Sequence, residues 1–210
     1  MTSPTVVVID SGVDPSHPAL RGHAEVIAGP AFDGDGVLAE GAGATDLLGH
    51  GSAVAATIAS FVDAVTIVSL KVFERDPVCD FRAVLHALEH AFSYDAVCIN
   101  LSLGTTSLRF RGQLEELAEE ANARAVRIVA SASYGGLPCD PGSIAGFEGV
   151  VADPNVPRST PELRPHDGGW IWFASPLPPP DAGGGRTLQA RGDSLACAAV
   201  SGLLVRQTCS

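Results

Sequence analysis

Two kinds of apolar run alternate along the chain. Residues 5–9 form an unbroken β-branched run that stops at Asp10-Ser11-Gly12. A run without polar alternation fits a central parallel strand covered on both faces. Residues 65–72, 97–103 and 126–130 repeat that pattern, and residues 150–151 and 170–173 predict two shorter strands. Helical patterns lie between them. Small and apolar residues fill 53–61, directly after Gly49-His50-Gly51-Ser52. Asp80 precedes residues 81–92 as an N-cap. Residues 113–124 turn Leu114, Leu117, Ala118 and Ala121 to one side and four glutamates to the other. Residues 195–205 are apolar all round, as a buried helix is, and Ser194 stands at their start.

The remaining stretches read as loops. Residues 14–43, rich in Gly, Pro and Asp, predict surface loops with one short strand near 25–28. Residues 153–169 have no period, and residues 177–185 form a Pro/Gly loop that leads to the last helix. No repeat or long linker divides the chain, which predicts one domain over residues 1–210. Strands alternating with helices predict an α/β fold of three layers, a mostly parallel central sheet with helices on both faces.

Composition narrows the function classes. The net charge of −11, with only 13 Lys and Arg, argues against nucleic-acid and anionic-membrane partners, which call for clustered basic charge. No apolar span reaches bilayer length, and residues 5–9 are too short for a signal core, so a cytoplasmic location is expected. Five cysteines without close pairing read as reduced, buried thiols. Asp33 and Asp35 flank Gly34, a pattern open to calcium, but the full ligand series is missing. His86, Glu89 and His90 match an inverted zinc-site pattern, H-x-x-E-H, with no distal carboxylate helix to complete it, so they read as a solvated face. No cofactor or metal is therefore expected.

The candidate chemistry sits at element ends. A serine at a helix start has a free backbone N–H, and the helix dipole favours negative charge there. Ser194 can thus be a nucleophile and supply part of an oxyanion site. His50, held between two glycines at another helix start, suits a general base with open access. Asp10 ends the first strand, where ligand sites collect in open α/β sheets. The order Asp10, His50, Ser194 is that of one known catalytic triad.

The motifs around these residues extend the match. Val8-Ile9-Asp10-Ser11-Gly12-Val13 resembles the aspartate motif of subtilisin-like serine proteases, and Gly49-His50-Gly51-Ser52-Ala53-Val54-Ala55 is similar to their histidine motif. Ile99-Asn100-Leu101-Ser102-Leu103-Gly104 resembles the strand lining their substrate cleft. Pro141-Gly142-Ser143-Ile144 and Gly192-Asp193-Ser194-Leu195-Ala196 resemble their proline turn and serine motif. The landmarks run in family order from Asp10 to Gly202. The block Gly192-Asp193-Ser194-Leu195 also spells the motif of GDSL esterases, but those carry Asp and His after it, and no His follows Ser194.

The resemblance implies a serine endopeptidase in which Ser194 attacks a peptide carbonyl, His50 transfers the proton and Asp10 orients the imidazole. It implies that Ser102, Leu103 and Gly104 pair with an extended substrate. The family's oxyanion asparagine aligns with Tyr134, which leaves Tyr134 and Ser133 as oxyanion candidates. Asp193 stands where threonine is usual, and its charge is expected to oppose an oxyanion. The chain starts almost at its first strand, so the usual N-terminal segment with its calcium contribution is expected to be missing. A short region 153–169 leaves room for a protein partner to complete the cleft. The expected partner is a peptide or protein substrate, cut slowly and selectively, as in precursor-peptide processing. The alternative is a catalytically impaired relative that binds a peptide or partner without cutting it, motivated by Tyr134 and Asp193.

Overall fold

The computed structural model describes residues 3–178 and 192–209. In chain order the strands and helices are β1 (Thr5–Asp10), β2 (Ala24–Asp33), β3 (Gly36–Ala39), α1 (His50–Ala59), β4 (Val65–Lys71), α2 (Phe81–Ala91), β5 (Cys98–Leu101) and α3 (Arg111–Ala123). There follow β6 (Arg127–Ser131), β7 (Ser133–Tyr134), β8 (Leu137–Pro138), β9 (Glu148–Ala152), β10 (Glu162–His166), β11 (Gly169–Ala174) and α4 (Asp193–Thr208). Residues 179–191, including Arg191 and most of the expected Pro/Gly loop, lie outside the described residues.

β1 shows why the sheet is central. Its side chains alternate between faces. Val6 and Val8 pack with α1 and α4, while Val7 and Ile9 pack with α2 and α3, and all four are fully buried. Nine strands form one sheet in the order β10-β11-β9-β6-β5-β1-β4-β2-β3. The inner pairings are all parallel, and the antiparallel strands β3 and β10 close the two edges. This is the expected three-layer α/β architecture. The chain builds outward from β1 to β2, β3 and β4, then crosses past β1 to β5. The carboxyl ends of β1 and β5 therefore flank a topological switch point, where open sheets leave a crevice.

Two stretches read as loops contain strands. The short strand expected near 25–28 is the ten-residue β2, continued by the hairpin to β3. Gly29-Pro30 looks like a turn in sequence. In the fold it is a register shift in the β2–β4 pairing between Ala28 and Ala31, the kind of site where a sheet tolerates proline. Gly29 is needed there, because a Cβ would stand 2.5 Å from the Leu70 side chain. Within 153–169, residues 162–166 form β10 against β11. The two-residue turn Asp167-Gly168 has φ of 44° and 80°, matching the primed turns that join tight hairpins. β5, in contrast, is shorter than predicted. Ser102 to Gly104 leave the sheet, and the backbone next pairs at Thr105 with Asp140.

Candidate active site

The carboxyl end of β1 delivers Asp10, which is 1% exposed. Its Oδ1 accepts from the Ser11 N–H at 2.7 Å and from His50 Nδ1 at 2.7 Å. Its Oδ2 is buried without a hydrogen-bond partner among the described residues. An ionised carboxylate only accepts, so this contact assigns the imidazole proton to Nδ1 and leaves a lone pair on Nε2. Nε2 has no hydrogen bond among the described residues. The His50 side chain is 30% exposed. Burial pulls its pKa down, but the charge and hydrogen bond of Asp10, with the charge of Asp46, outweigh this and raise it above the ordinary value of 6.5.

Glycines bring His50 this close. Gly49 precedes α1 with φ of 73°, a conformation that suits glycine. Gly51 follows His50, and a Cβ on it would stand 2.1 Å from the Gly12 carbonyl oxygen. The helix start can lie on the end of β1 only because Gly51 has no side chain.

Ser194 enters from α4, on the same face of the sheet as α1. α4 is preceded by Gly192 with φ of 107°, and Ser194 belongs to its first turn, where amides lack intrahelical partners. A relay ties this turn to β5. Asn100 Nδ2 donates to Ser201 Oγ at 2.9 Å, and Ser102 Oγ donates to Asn100 Oδ1 at 2.7 Å and lies 3.0 Å from the Ser194 carbonyl oxygen. The Ser194 hydroxyl donates to the Ser102 carbonyl at 3.1 Å, so in this conformation it does not engage His50.

His50 and Ser194 line one cleft of about 560 Å³. Ser102, Leu103 and Gly104 form one wall, and Ser131, Ser133 and Tyr134 form another. An apolar end is built by Leu48, Phe73, Val78, Phe81 and Val84. Seven of the residues singled out thus line the cleft, and Asp10 reaches it only through its contact with His50. Tyr134 stands apart in one respect. It lies in the β7–β8 hairpin, is 70% exposed, and its phenol makes no hydrogen bond among the described residues. Ser133 offers its carbonyl to the Ser131 hydroxyl at 2.8 Å. The Asp193 carboxylate accepts the Ala152 N–H at 3.0 Å, so one of its oxygens is engaged with β9.

Sequence reading missed Asp46, Lys71 and Ser201. Lys71 is 2% exposed, and its Nζ donates to the carbonyls of Ser11 and Thr45 at 2.8 and 3.0 Å. It is the one charged residue of β4, and that was its only signal. Ser201 had none, since its partner Asn100 is 101 residues away.

The other chemical patterns stay separate. His86 Nδ1 lies 3.8 Å from Glu89, while His90 packs half-buried against the rings of Phe32 and Tyr94 rather than on a solvated face. Asp33 Oδ1 accepts from the Asp35 N–H at 2.8 Å. No group of three or more His, Cys, Asp or Glu side chains that could hold a metal ion gathers among the described residues. No helix among them is long and apolar enough to cross a membrane.

Residues 2–137, more than half of the chain, match the model of the subtilase family. The chain belongs to the subtilase family, whose members are subtilisin-like serine proteases acting on peptide or protein substrates. Solved structures agree in fold. A lanthipeptide protease superposes with a TM-score of 0.69 at 20% identity, over 95% of this chain and 71% of that one. A cold-adapted subtilisin-like serine proteinase gives 0.68 at 20% identity, over 95% and 72%. The protease domain of PatA gives 0.69 at 21% identity, over 97% and 78%. No curated protein matches the sequence.

Proposed function

We propose that the chain is a serine endopeptidase that works through Asp10, His50 and Ser194. The observation that carries this reading is the 2.7 Å contact of His50 Nδ1 with Asp10 Oδ1, beneath a cleft that His50 and Ser194 both line. On substrate binding the Ser194 hydroxyl turns from the Ser102 carbonyl to His50 Nε2. Hydroxyl–base contacts of this kind commonly tighten only in the substrate complex. Ser194 Oγ then bonds to the peptide carbonyl carbon, and its proton passes to Nε2. His50 returns that proton to the amine as the C–N bond breaks. Water hydrolyses the resulting ester by the same steps in reverse.

The backbone of Ser102 to Gly104, released from the sheet, is free to accept an extended peptide as an added strand. The Ser194 N–H is one oxyanion donor, with Ser133 and Tyr134 as candidates for the second. One such donor is typically worth about 10²–10³ in rate, so an exposed phenol in place of an amide makes a slow enzyme. The apolar cleft end and the short walls suit selective cutting of an extended precursor peptide. A lanthipeptide protease among the structural neighbours motivates that substrate class.

A fluorophosphonate probe tests the chemistry. One covalent adduct on Ser194, lost in Ser194→Ala, is expected; a folded protein that takes no adduct overturns the reading. A second reading, a peptide-binding module without turnover, is favoured by the Ser194 hydroxyl donating to Ser102 rather than His50. It predicts peptide affinity unchanged in Ser194→Ala, and turnover abolished by that substitution rejects it.

A further inference from the structure

The loop before α1 holds a carboxylate with more partners than any catalytic side chain here. Asp46 lies four residues before His50 and is half-buried. Its Oδ1 accepts from Ser11 Oγ at 2.8 Å, the Leu48 N–H at 3.1 Å and the Gly49 N–H at 2.8 Å. Its Oδ2 accepts from the Ser52 N–H at 2.8 Å and Ser52 Oγ at 2.6 Å. Five donors and no acceptor match an acceptor-only, ionised carboxylate. The N-cap of α1 is a glycine with no side-chain bond of its own. Asp46 and Ser11 supply what it lacks: Asp46 takes the Ser52 amide, and Ser11 Oγ takes the Gly51 amide at 3.0 Å.

These bonds reach both ends of the triad's first contact. Ser11 directly follows Asp10 and donates its N–H to Asp10 Oδ1. Gly49, Gly51 and Ser52 surround His50. We propose that Asp46 is a positioning residue that clamps the start of α1 to the end of β1 and so holds the His50 imidazole against Asp10. This rests on the reading of Asp10, His50 and Ser194 as a working triad.

Asp46 also acts through its charge. The charges that act on His50 are those of Asp10 from β1 and Asp46 from the loop before α1; Lys71 of β4 meets the Ser11 carbonyl, and Asp193 of α4 lines the same cleft as His50. Lys71 is turned to the carbonyls of Ser11 and Thr45 and Asp193 to Ala152. Asp10 and Asp46 are the two carboxylates whose charge raises the His50 pKa. Asp46 therefore favours the imidazolium formed when His50 takes a proton.

The test is Asp46→Asn, whose amide turns a donor toward groups that themselves donate. Two readouts are taken: the pH profile of kcat and KM on a peptide substrate, and the NMR titration of the His50 imidazole, which needs no turnover. The expected result is a kcat lower by about 10- to 100-fold, the scale of a misplaced catalytic group, with KM little changed. The acid limb and the His50 titration both move to lower pH. Asp46→Glu, which keeps the charge on a longer arm, restores the titration but not the full rate, and serves if the asparagine variant does not fold. An unmoved His50 titration in folded Asp46→Asn overturns the proposal, whether or not kcat falls, and where only Asp46→Glu folds, a wild-type kcat in that variant overturns it. If the wild-type chain shows no turnover, the triad reading fails by itself, and the titration alone still decides the role of Asp46.

Discussion

Gly51→Ala tests how tightly the base is held on the sheet. The new Cβ would stand 2.1 Å from the Gly12 carbonyl oxygen and 3.2 Å from the Asp10 Cβ, where ordinary contact begins at 3.4 Å. The helix start must then retreat by about 1.3 Å, the gap between 2.1 and 3.4 Å, because a backbone carbonyl cannot rotate aside as a flexible side chain can. The Gly51 N–H to Ser11 Oγ bond of 3.0 Å breaks first, and the 2.7 Å His50–Asp10 contact lengthens with it. Two stability terms oppose each other. Overpacking costs about 1–3 kcal/mol, while alanine regains about 1 kcal/mol of helix propensity over glycine. The net loss of stability is therefore about 0–2 kcal/mol. The rate is far more sensitive, since a misplacement of about 1 Å costs roughly 100-fold. Initial rates on a fluorogenic peptide, set beside a thermal melt, should show a folded variant about 100-fold slower. A variant that keeps wild-type rate, or loses rate only in step with its unfolded fraction, refutes the argument.

His50 accepts a proton only when neutral, and its pKa lies above 6.5, so the acid limb of kcat/KM should fall above pH 6.5; a limb at or below that value refutes the assignment. Stability runs the other way: a raised folded pKa gives stabilisation that is fully present below pH 6.5 and lost as pH rises through the folded value, which a pH series of melts on wild type and His50→Asn should reveal. The cysteines should separate under a thiol reagent, with exposed Cys209 reacting in the native protein. Cys98, whose burial pushes its thiol up to about 12, and Cys139, up to about 11, should react only on unfolding; fast native labelling of Cys98 contradicts this.

The helices and central strands were legible because each is governed by a local pattern. The unbroken run of β1, the Asp80 cap and the all-round apolar α4 could be read without knowing any neighbour. Misreadings came where tertiary pairing overrode local chemistry. Gly29-Pro30 resembles a turn until β4 holds it as a bulge. β10 exists because the Asp167-Gly168 turn folds it onto β11, although that dipeptide was visible in the sequence. Asp10, His50 and Ser194 were legible as motifs because each sits within two residues of a glycine at an element end.

Their mutual geometry was not legible in that way. The order Asp10, His50, Ser194 names three groups without bringing any two together. The start of α1 brings His50 onto Asp10, and the crossing from β4 to β5 past β1 opens the crevice that His50 and Ser194 both line. The same holds for the supporting contacts. Asp46 is an ordinary loop acid until five donors converge on it, and Ser201 is an ordinary helix serine until Asn100 reaches it from β5. By itself the sequence determined which residues could bear a charge, start a helix or allow a close approach, since those properties belong to one side chain and its immediate neighbours. Only the tertiary structure decided that the Ser194 hydroxyl rests on Ser102 and that Asp10 Oδ2 lies buried without a partner among the described residues. Hydrogen bonds and burial depend on distance in space, which separation along the chain does not encode.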